Sequence, residues 1–294
     1  MVKKILVCGA GSIGVYLGTL LYSKGNEVTL FGRRKLKKVE GSEIFINGKK
    51  FKVPEKIFKL PKNGKYDLIF ITTKLYDFDY IINAIKKSRI KSGIISSVQN
   101  GLLDTSKYSK ILGKRIIPIT VFAGFNLKNN RIDVNTTSVG WKTELSANGR
   151  EISRILLNAG IPCTADRKFD SLRAEKTIVN SCLNALSAIE NKTFKELFSN
   201  KKTSERISLL FDECYNILKK EHKLDNKIQM KKALFKNWSK LNHYSSTCQD
   251  LHSGRPTEAR FFNGYILKIG EKHKLPAENN KKILKEIKEV EKKR

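Results

Sequence analysis

An α/β fold is predicted for this chain of 294 residues: a doubly wound parallel sheet over residues 1–166, then a mainly α-helical domain over 167–294. Three observations predict it. Short apolar runs recur through the first half, separated by helical patterns, as buried parallel strands and their crossovers require. The first run ends in a glycine cluster that opens a helix. From about Ser171 onward the apolar spacing is helical almost without interruption.

Residues 3–8 form the first strand, an apolar run ending at Gly9. A helix over Gly14 to Lys24 places Ile13, Leu17, Leu20 and Leu21 on one face before Gly25 stops it, and Glu27 to Phe31 reads as the next strand. Further strands are expected at Leu68 to Thr72, Ile94 to Val98 and Ile116 to Val121, with a helix at Asp79 to Lys87. Residues 131–145 are β-branched and turn-rich, which suggests antiparallel strands appended to the sheet. In the second domain, helices are expected at Ser171 to Glu190, Thr203 to His222, Ile228 to Trp238, Thr257 to His273 and Ala277 to Lys292.

Composition narrows the function classes. Apolar residues at 40% and charged residues at 29% fit a globular chain that can bury two cores. No apolar run approaches the roughly 20 residues needed to span a bilayer. The stretch from Met1 to Gly18 mimics a secretion signal, but its glycines and its continuation as βαβ mark the first strand and helix instead. Cys8, Cys163, Cys182, Cys214 and Cys248 are widely spaced, without a CxxC pair or nearby histidines. Neither a disulfide framework nor a metal site is indicated, and a reducing cytoplasm is the expected compartment. The net charge of +30 could attract polyanions, but the lysines are spread over the chain without aromatic interleaving. A solvated basic surface is expected, with no specific nucleic-acid partner and no membrane partner.

Gly9-Ala10-Gly11-Ser12-Ile13-Gly14 is GxGxxG at a strand-to-helix junction. There the pattern has a mechanism: Gly9 makes the tight turn, Gly11 lets a pyrophosphate approach the backbone, and Gly14 packs helix on strand. The helix N-terminus offers N–H groups and a positive dipole end to the diphosphate. This is a Rossmann-type arrangement for a nicotinamide dinucleotide. At the end of the second strand, Gly32-Arg33-Arg34-Lys35 stands where NAD-binding domains carry an acidic residue. Cations there favour the 2′-phosphate of NADPH/NADP, with Arg33 the first candidate contact and Arg34 next; ordinary surface charge is the competing explanation.

Lys176, Asn180 and Asn184 lie four residues apart, so successive members turn about 40° and share one helix face. Leu172, Ile178, Val179, Leu183 and Leu186 supply apolar packing around it. The two asparagines either face solvent or line a site. Further on, Ser245-Ser246-Thr247-Cys248-Gln249-Asp250 and Gly254-Arg255-Pro256-Thr257-Glu258 form a dense polar stretch that suits a substrate-facing segment. Thr257 reads as the N-cap of the next helix, which would put Glu258 in its first turn for capping reasons alone.

These motifs together, GxGxxG, Val98-Gln99-Asn100-Gly101, Lys176-x3-Asn180-x3-Asn184 and SSxxQD-x4-R-x-TE over 245–258, resemble the ketopantoate reductases across essentially the whole chain. The resemblance implies NADPH-dependent reduction of 2-dehydropantoate to pantoate, in pantothenate and coenzyme A biosynthesis, by a homodimer. It implies that Lys176 protonates the keto oxygen and that Glu258 orients substrate and catalytic groups. It further implies that Asn100, Asn180, Asn184 and Ser246 bind the substrate and that Lys74 is a family lysine at the cofactor and active-site cleft. The chemistry suits these residues, because hydride addition builds negative charge on oxygen that an ammonium stabilises and then neutralises.

The chain departs from the family pattern in three places. Ala185 stands where family members carry proline, Thr247 and Cys248 replace the methionine-bearing stretch, and Arg260 replaces an acid. Arg260 and Ala185 motivate a reductase of another branched 2-oxo acid as a rival reading. A non-catalytic NADP-binding sensor is a second rival, which the retention of Lys176, Asn180, Asn184 and Glu258 opposes.

Overall fold

The computed structural model describes residues 2–32 and 43–293, the side chains of 136–138 excepted. Arg33 and Arg34 lie outside the described residues. The chain forms two compact units, one of residues 1–100 and 104–169, the other of residues 101–103 and 170–294.

The first unit runs β1 (Lys4–Cys8), α1 (Ser12–Tyr22), β2 (Glu27–Phe31), β3 (Glu43–Ile46), β4 (Lys49–Lys52), β5 (Glu55–Ile57), β6 (Lys65–Ile71), α2 (Phe78–Lys87), β7 (Lys91–Val98), α3 (Ser106–Leu112), β8 (Ile116–Lys128), β9 (Arg131–Glu144), α4 (Ala147–Asn158) and β10 (Cys163–Asp166). Its strands make one sheet in the order β4-β3-β9-β8-β7-β6-β1-β2-β5, with β10 paired to β9. From β8 through β7, β6, β1 and β2 to β5 all pairs are parallel. The inner strand β1 is buried from Ile5 to Cys8, which is why it reads as a continuous apolar run. Chain order reverses at β1, whose neighbours are β2 on one side and β6 on the other. In open α/β sheets such a switch point leaves a crevice beyond the carboxyl ends of the strands, where ligands bind.

The appended antiparallel structure is a single long strand, β9, paired with β8 around a register shift between Val121 and Ala123. The β3–β4 hairpin extends the sheet beyond it and has no counterpart in the expected elements. Tyr16 from α1 meets Phe125 of β8 edge-to-face at 5.2 Å, and Phe125 meets the fully buried Trp141 of β9 at 6.3 Å. These rings pin the first helix to the antiparallel part of the sheet.

The second unit is helical: α5 (Phe169–Glu190), α6 (Phe194–Ser199), α7 (Lys201–Leu218), α8 (Lys227–Trp238), α9 (Ser246–His252), α10 (Ala259–Lys272) and α11 (Glu278–Lys292). The central helix α5 buries Ile178, Leu183 and Leu186 against α7, α10 and α11. Asn263 of α10 donates to the Ser181 carbonyl oxygen at 2.9 Å and to Asn280 of α11 at 2.8 Å, so a buried amide ties three helices together. Among the described residues no helix is long and apolar enough to cross a membrane.

Two expectations change. Glu258, not Thr257, is the N-cap of α10, because the helix begins one residue later than expected; the Thr257 hydroxyl still accepts from the Ala259 N–H at 3.4 Å. The dense polar stretch from 245, read as suited to facing substrate, also has structural work at its start, where residues 246–252 form α9. Ser245 caps α9 by accepting from the Cys248 N–H at 3.0 Å, and buried Asp250 accepts from Arg255 Nε at 3.0 Å. Much of that polar density therefore satisfies backbone groups and an ion pair.

Candidate active site

In the first unit, Gly9, Ala10 and Gly11 form the turn after β1, and Ser12, Ile13 and Gly14 the first turn of α1. Gly9 has φ +125°, a conformation that side chains rarely adopt. A Cβ on Gly14 would lie 1.7 Å from the Gly9 carbonyl oxygen, so helix and turn touch only because that carbon is missing. At Gly11 a Cβ would meet nothing within 4 Å among the described residues. Internal packing therefore does not require glycine there, whereas close approach of a diphosphate does. Among the described residues the α1 N-terminus has no capping side chain, and its first turn has no acidic residue, so its N–H groups and dipole end suit an anion.

The neighbouring strand ends support this turn. Thr72, after β6, donates through Oγ1 to the Gly9 carbonyl oxygen at 2.7 Å, and its N–H donates to Cys8 O at 2.8 Å. Gln99, after β7, donates through Nε2 to the Thr73 carbonyl oxygen at 3.0 Å. Thr73 Oγ1, Gln99 Oε1 and Asn100 Oδ1 are buried without a hydrogen-bond partner among the described residues. Buried polar atoms are normally satisfied, so three at the carboxyl ends of adjacent strands fit a polar ligand. Lys74 is partly buried at the start of a 3₁₀ turn over Leu75–Asp77. Thr72 and Thr73 carry no motif glycine or charge, and the sequence offered only their position at a strand end as a signal, whereas Gln99 stands within the Val98-Gln99-Asn100-Gly101 motif without an assigned role.

In the second unit, α5 presents Lys176, Asn180 and Asn184 on one face. The asparagines do not face solvent: Asn180 is 4% exposed and Asn184 7%. Asn180 Nδ2 has no hydrogen-bond partner among the described residues, while Asn184 Nδ2 reaches Ser246 Oγ at 3.5 Å. The structure thus joins α5 to α9 through the residue pair that the resemblance assigns to substrate. Glu258 is partly buried where α10 begins, on a helix anchored to α5 through Asn263. Arg260 is exposed, and its guanidinium lies over the ring of its neighbour Phe261 at 4.6 Å.

Burial lowers the Lys176 pKa to about 8. The group stays mostly protonated at neutral pH, yet it gives up its proton far more readily than a surface lysine. Its Nζ lies 5.5 Å from the centroid of the Trp238 ring. Burial also pushes the His243 imidazole down, and the Lys176 charge adds to the effect. Neither Trp238 nor His243 stands at any motif spacing from Lys176.

Fold and site together define an oxidoreductase of the dinucleotide-binding α/β class, with a helical domain that sets a lysine of lowered pKa in line with two buried asparagines. The family described as Ketopantoate reductase PanE/ApbA matches residues 5–144, and its C-terminal domain family matches residues 168–291. The chain belongs to the ketopantoate reductase family. It is similar to the 2-dehydropantoate 2-reductase of Archaeoglobus fulgidus, with 25% identity over 296 residues, 99% of this chain and 98% of that protein. The crystal structure of a PanE/ApbA family ketopantoate reductase from Ralstonia eutropha JMP134 matches with a TM-score of 0.87 at 22% identity, covering 99% of each chain. D-mandelate dehydrogenase, in its ternary structure with NADH and anilino(oxo)acetate, also matches at 0.87, with 20% identity over 99% of this chain and 98% of that one. At these identities the two structures share the fold.

Proposed function

We propose that this protein reduces 2-dehydropantoate to pantoate with NADPH, the pantoate-forming step of pantothenate and coenzyme A biosynthesis, as a cytoplasmic homodimer. The observation that carries the reading is the α5 face, where a lysine with a lowered pKa stands in line with two buried asparagines, one reaching Ser246 and the other holding an amide nitrogen without a partner among the described residues. A surface stripe would need none of this burial.

In this reading Lys176 gives its proton to the keto oxygen as negative charge builds there, and Glu258 orients the substrate and the lysine. Asn180, Asn184 and Ser246 hold the polar groups of the 2-oxo acid, and Asn100 does the same from the end of β7. The turn from Gly9 to Gly14 takes the diphosphate on the N-terminus of α1, while Arg33 pairs with the 2′-phosphate and Lys74 contributes a second cation. When bound, NADPH supplies the hydride. Arg260 is exposed with its guanidinium over the Phe261 ring, which supports reading it as a surface residue and not as a substrate contact.

The test is oxidation of NADPH against a panel of branched and unbranched 2-oxo acids. The reading expects the highest kcat/KM with 2-dehydropantoate. A higher value with another 2-oxo acid would reassign the substrate, and no turnover with any would leave a binding protein.

A further inference from the structure

The proposed proton donor projects from a helix on a side chain with four rotatable bonds, so something must set its direction. The structure offers an aromatic scaffold for this. Trp238 is the last residue of α8 and presents its ring to Lys176 Nζ at 5.5 Å from the centroid, within the reach at which an ammonium is attracted to the face of an indole. In α8, Leu234 is buried, and Met230, Phe235 and Trp238 pack partly buried against the same core. Phe194 adds a directional contact: this residue is 2% exposed and meets Trp238 edge-to-face at 5.4 Å and His243 edge-to-face at 5.0 Å.

Backbone bonds hold the same assembly. The Leu241 N–H donates to the Trp238 carbonyl oxygen at 3.1 Å, the Lys195 N–H to Leu241 O at 2.9 Å, and the Phe194 N–H to His243 O at 3.2 Å. The start of α6 is itself clamped by a capping box, in which Glu196 accepts from the Thr193 N–H at 2.8 Å and Thr193 Oγ1 accepts from the Glu196 N–H at 3.4 Å. The path therefore runs from a fixed helix start, through a buried phenylalanine, to an indole beside the reactive ammonium.

We infer that Trp238 is a positioning residue for the reaction, its indole face holding the Lys176 ammonium in the pose from which it serves the carbonyl; this rests on Lys176 being the proton donor. Leucine fills much of the same apolar space but has no π face, whereas phenylalanine keeps one. A packing role predicts that Leu and Phe behave alike, and a positioning role separates them.

The experiment is a double-mutant cycle on the full chain, with steady-state turnover of 2-dehydropantoate and NADPH and a thermal melt for each variant. Trp238→Leu is expected to lower kcat about tenfold, the scale of a desolvated cation–π contact, with KM within about twofold. Trp238→Phe is expected to retain most of kcat. In a Lys176→Ala background, Trp238→Leu is expected to change kcat less than twofold, because the residue it acts through is gone. If Trp238→Leu melts at a markedly lower temperature, Trp238→Met carries the same comparison. Unchanged kcat in the Leu variant, a Phe variant no better than Leu, or a full Leu effect on top of Lys176→Ala would each overturn the inference while leaving Lys176 as the acid. A Lys176→Ala protein with normal turnover would instead remove the proton-donor reading, and this inference with it.

Discussion

The Thr72 hydroxyl donates to the Gly9 carbonyl oxygen at 2.7 Å and is also among the atoms that a Cβ on Gly9 or Gly14 would strike, at 2.7 and 2.6 Å. One side chain after β6 thus braces the turn against which α1 packs. Thr72→Val keeps the shape and deletes the bond. NADPH affinity is expected to fall about fivefold, in line with roughly 1 kcal/mol for a lost hydrogen bond. Titration of cofactor fluorescence measures this, and an unchanged Kd would mean the turn is held without Thr72.

The glycines of the turn separate folding from binding. Gly14→Ala forces a carbon against the Gly9 carbonyl oxygen and is expected to lower stability by about 1–3 kcal/mol as well as weaken NADPH. Gly11→Ala meets open space, so its melting temperature is expected to stay within a degree or two of the parent's while NADPH binding falls. Calorimetry with and without cofactor distinguishes the pair; full NADPH affinity in the Gly11 variant would place the diphosphate elsewhere.

Cofactor choice is expected to follow Arg33, helped by Arg34. Arg33→Asp should weaken NADPH selectively and leave NADH close to its starting affinity, since charge-assisted pairing to a phosphate is strong and for arginine bidentate. Competitive binding of the two cofactors to the parent protein is the direct measurement. Equal affinities there would sink the assignment.

Lys176→Ala is expected to lower kcat by roughly 10²-fold with NADPH binding intact. Because the reductive reaction needs the protonated amine, kcat of the parent should be level below pH 8 and fall as pH rises through about 8. The alanine variant should lose that limb. Retained turnover would point to Lys74 as the next residue to replace. Glu258→Ala should slow the reaction too, with a larger share of its loss in KM if the carboxylate orients substrate.

The elements legible in the sequence were those whose burial is one-sided or complete. β2 appears at Glu27–Phe31 as read, and α2, α5, α8, α10 and α11 fall within two residues of their expected bounds, because apolar spacing records which face meets the core. The β3–β4 hairpin leaves little trace in the sequence because β4 is Lys-Lys-Phe-Lys, with three exposed lysines and only Phe51 turned toward the core. β10 and α9 are too short to show a period. The α5 stripe could be read as residues on one face, but whether Asn180 and Asn184 met solvent or protein was open, since that depends on α9 and not on α5. Trp238 and His243 were invisible as site residues for the same reason: tertiary packing, not spacing, brings them to Lys176.

Ser245 has a further consequence. Its Oγ donates to the Asn184 carbonyl oxygen at 2.9 Å, its N–H donates to Ser187 Oγ at 3.1 Å, and the same Oγ caps α9. The residue immediately after this latch is Ser246, and the residue it grips is Asn184. Two groups proposed to seize the substrate are thereby set in mutual register before it arrives, so the entropy of aligning them is spent during folding and not at the encounter. A Ser245→Ala enzyme would have to recover that alignment at every turnover.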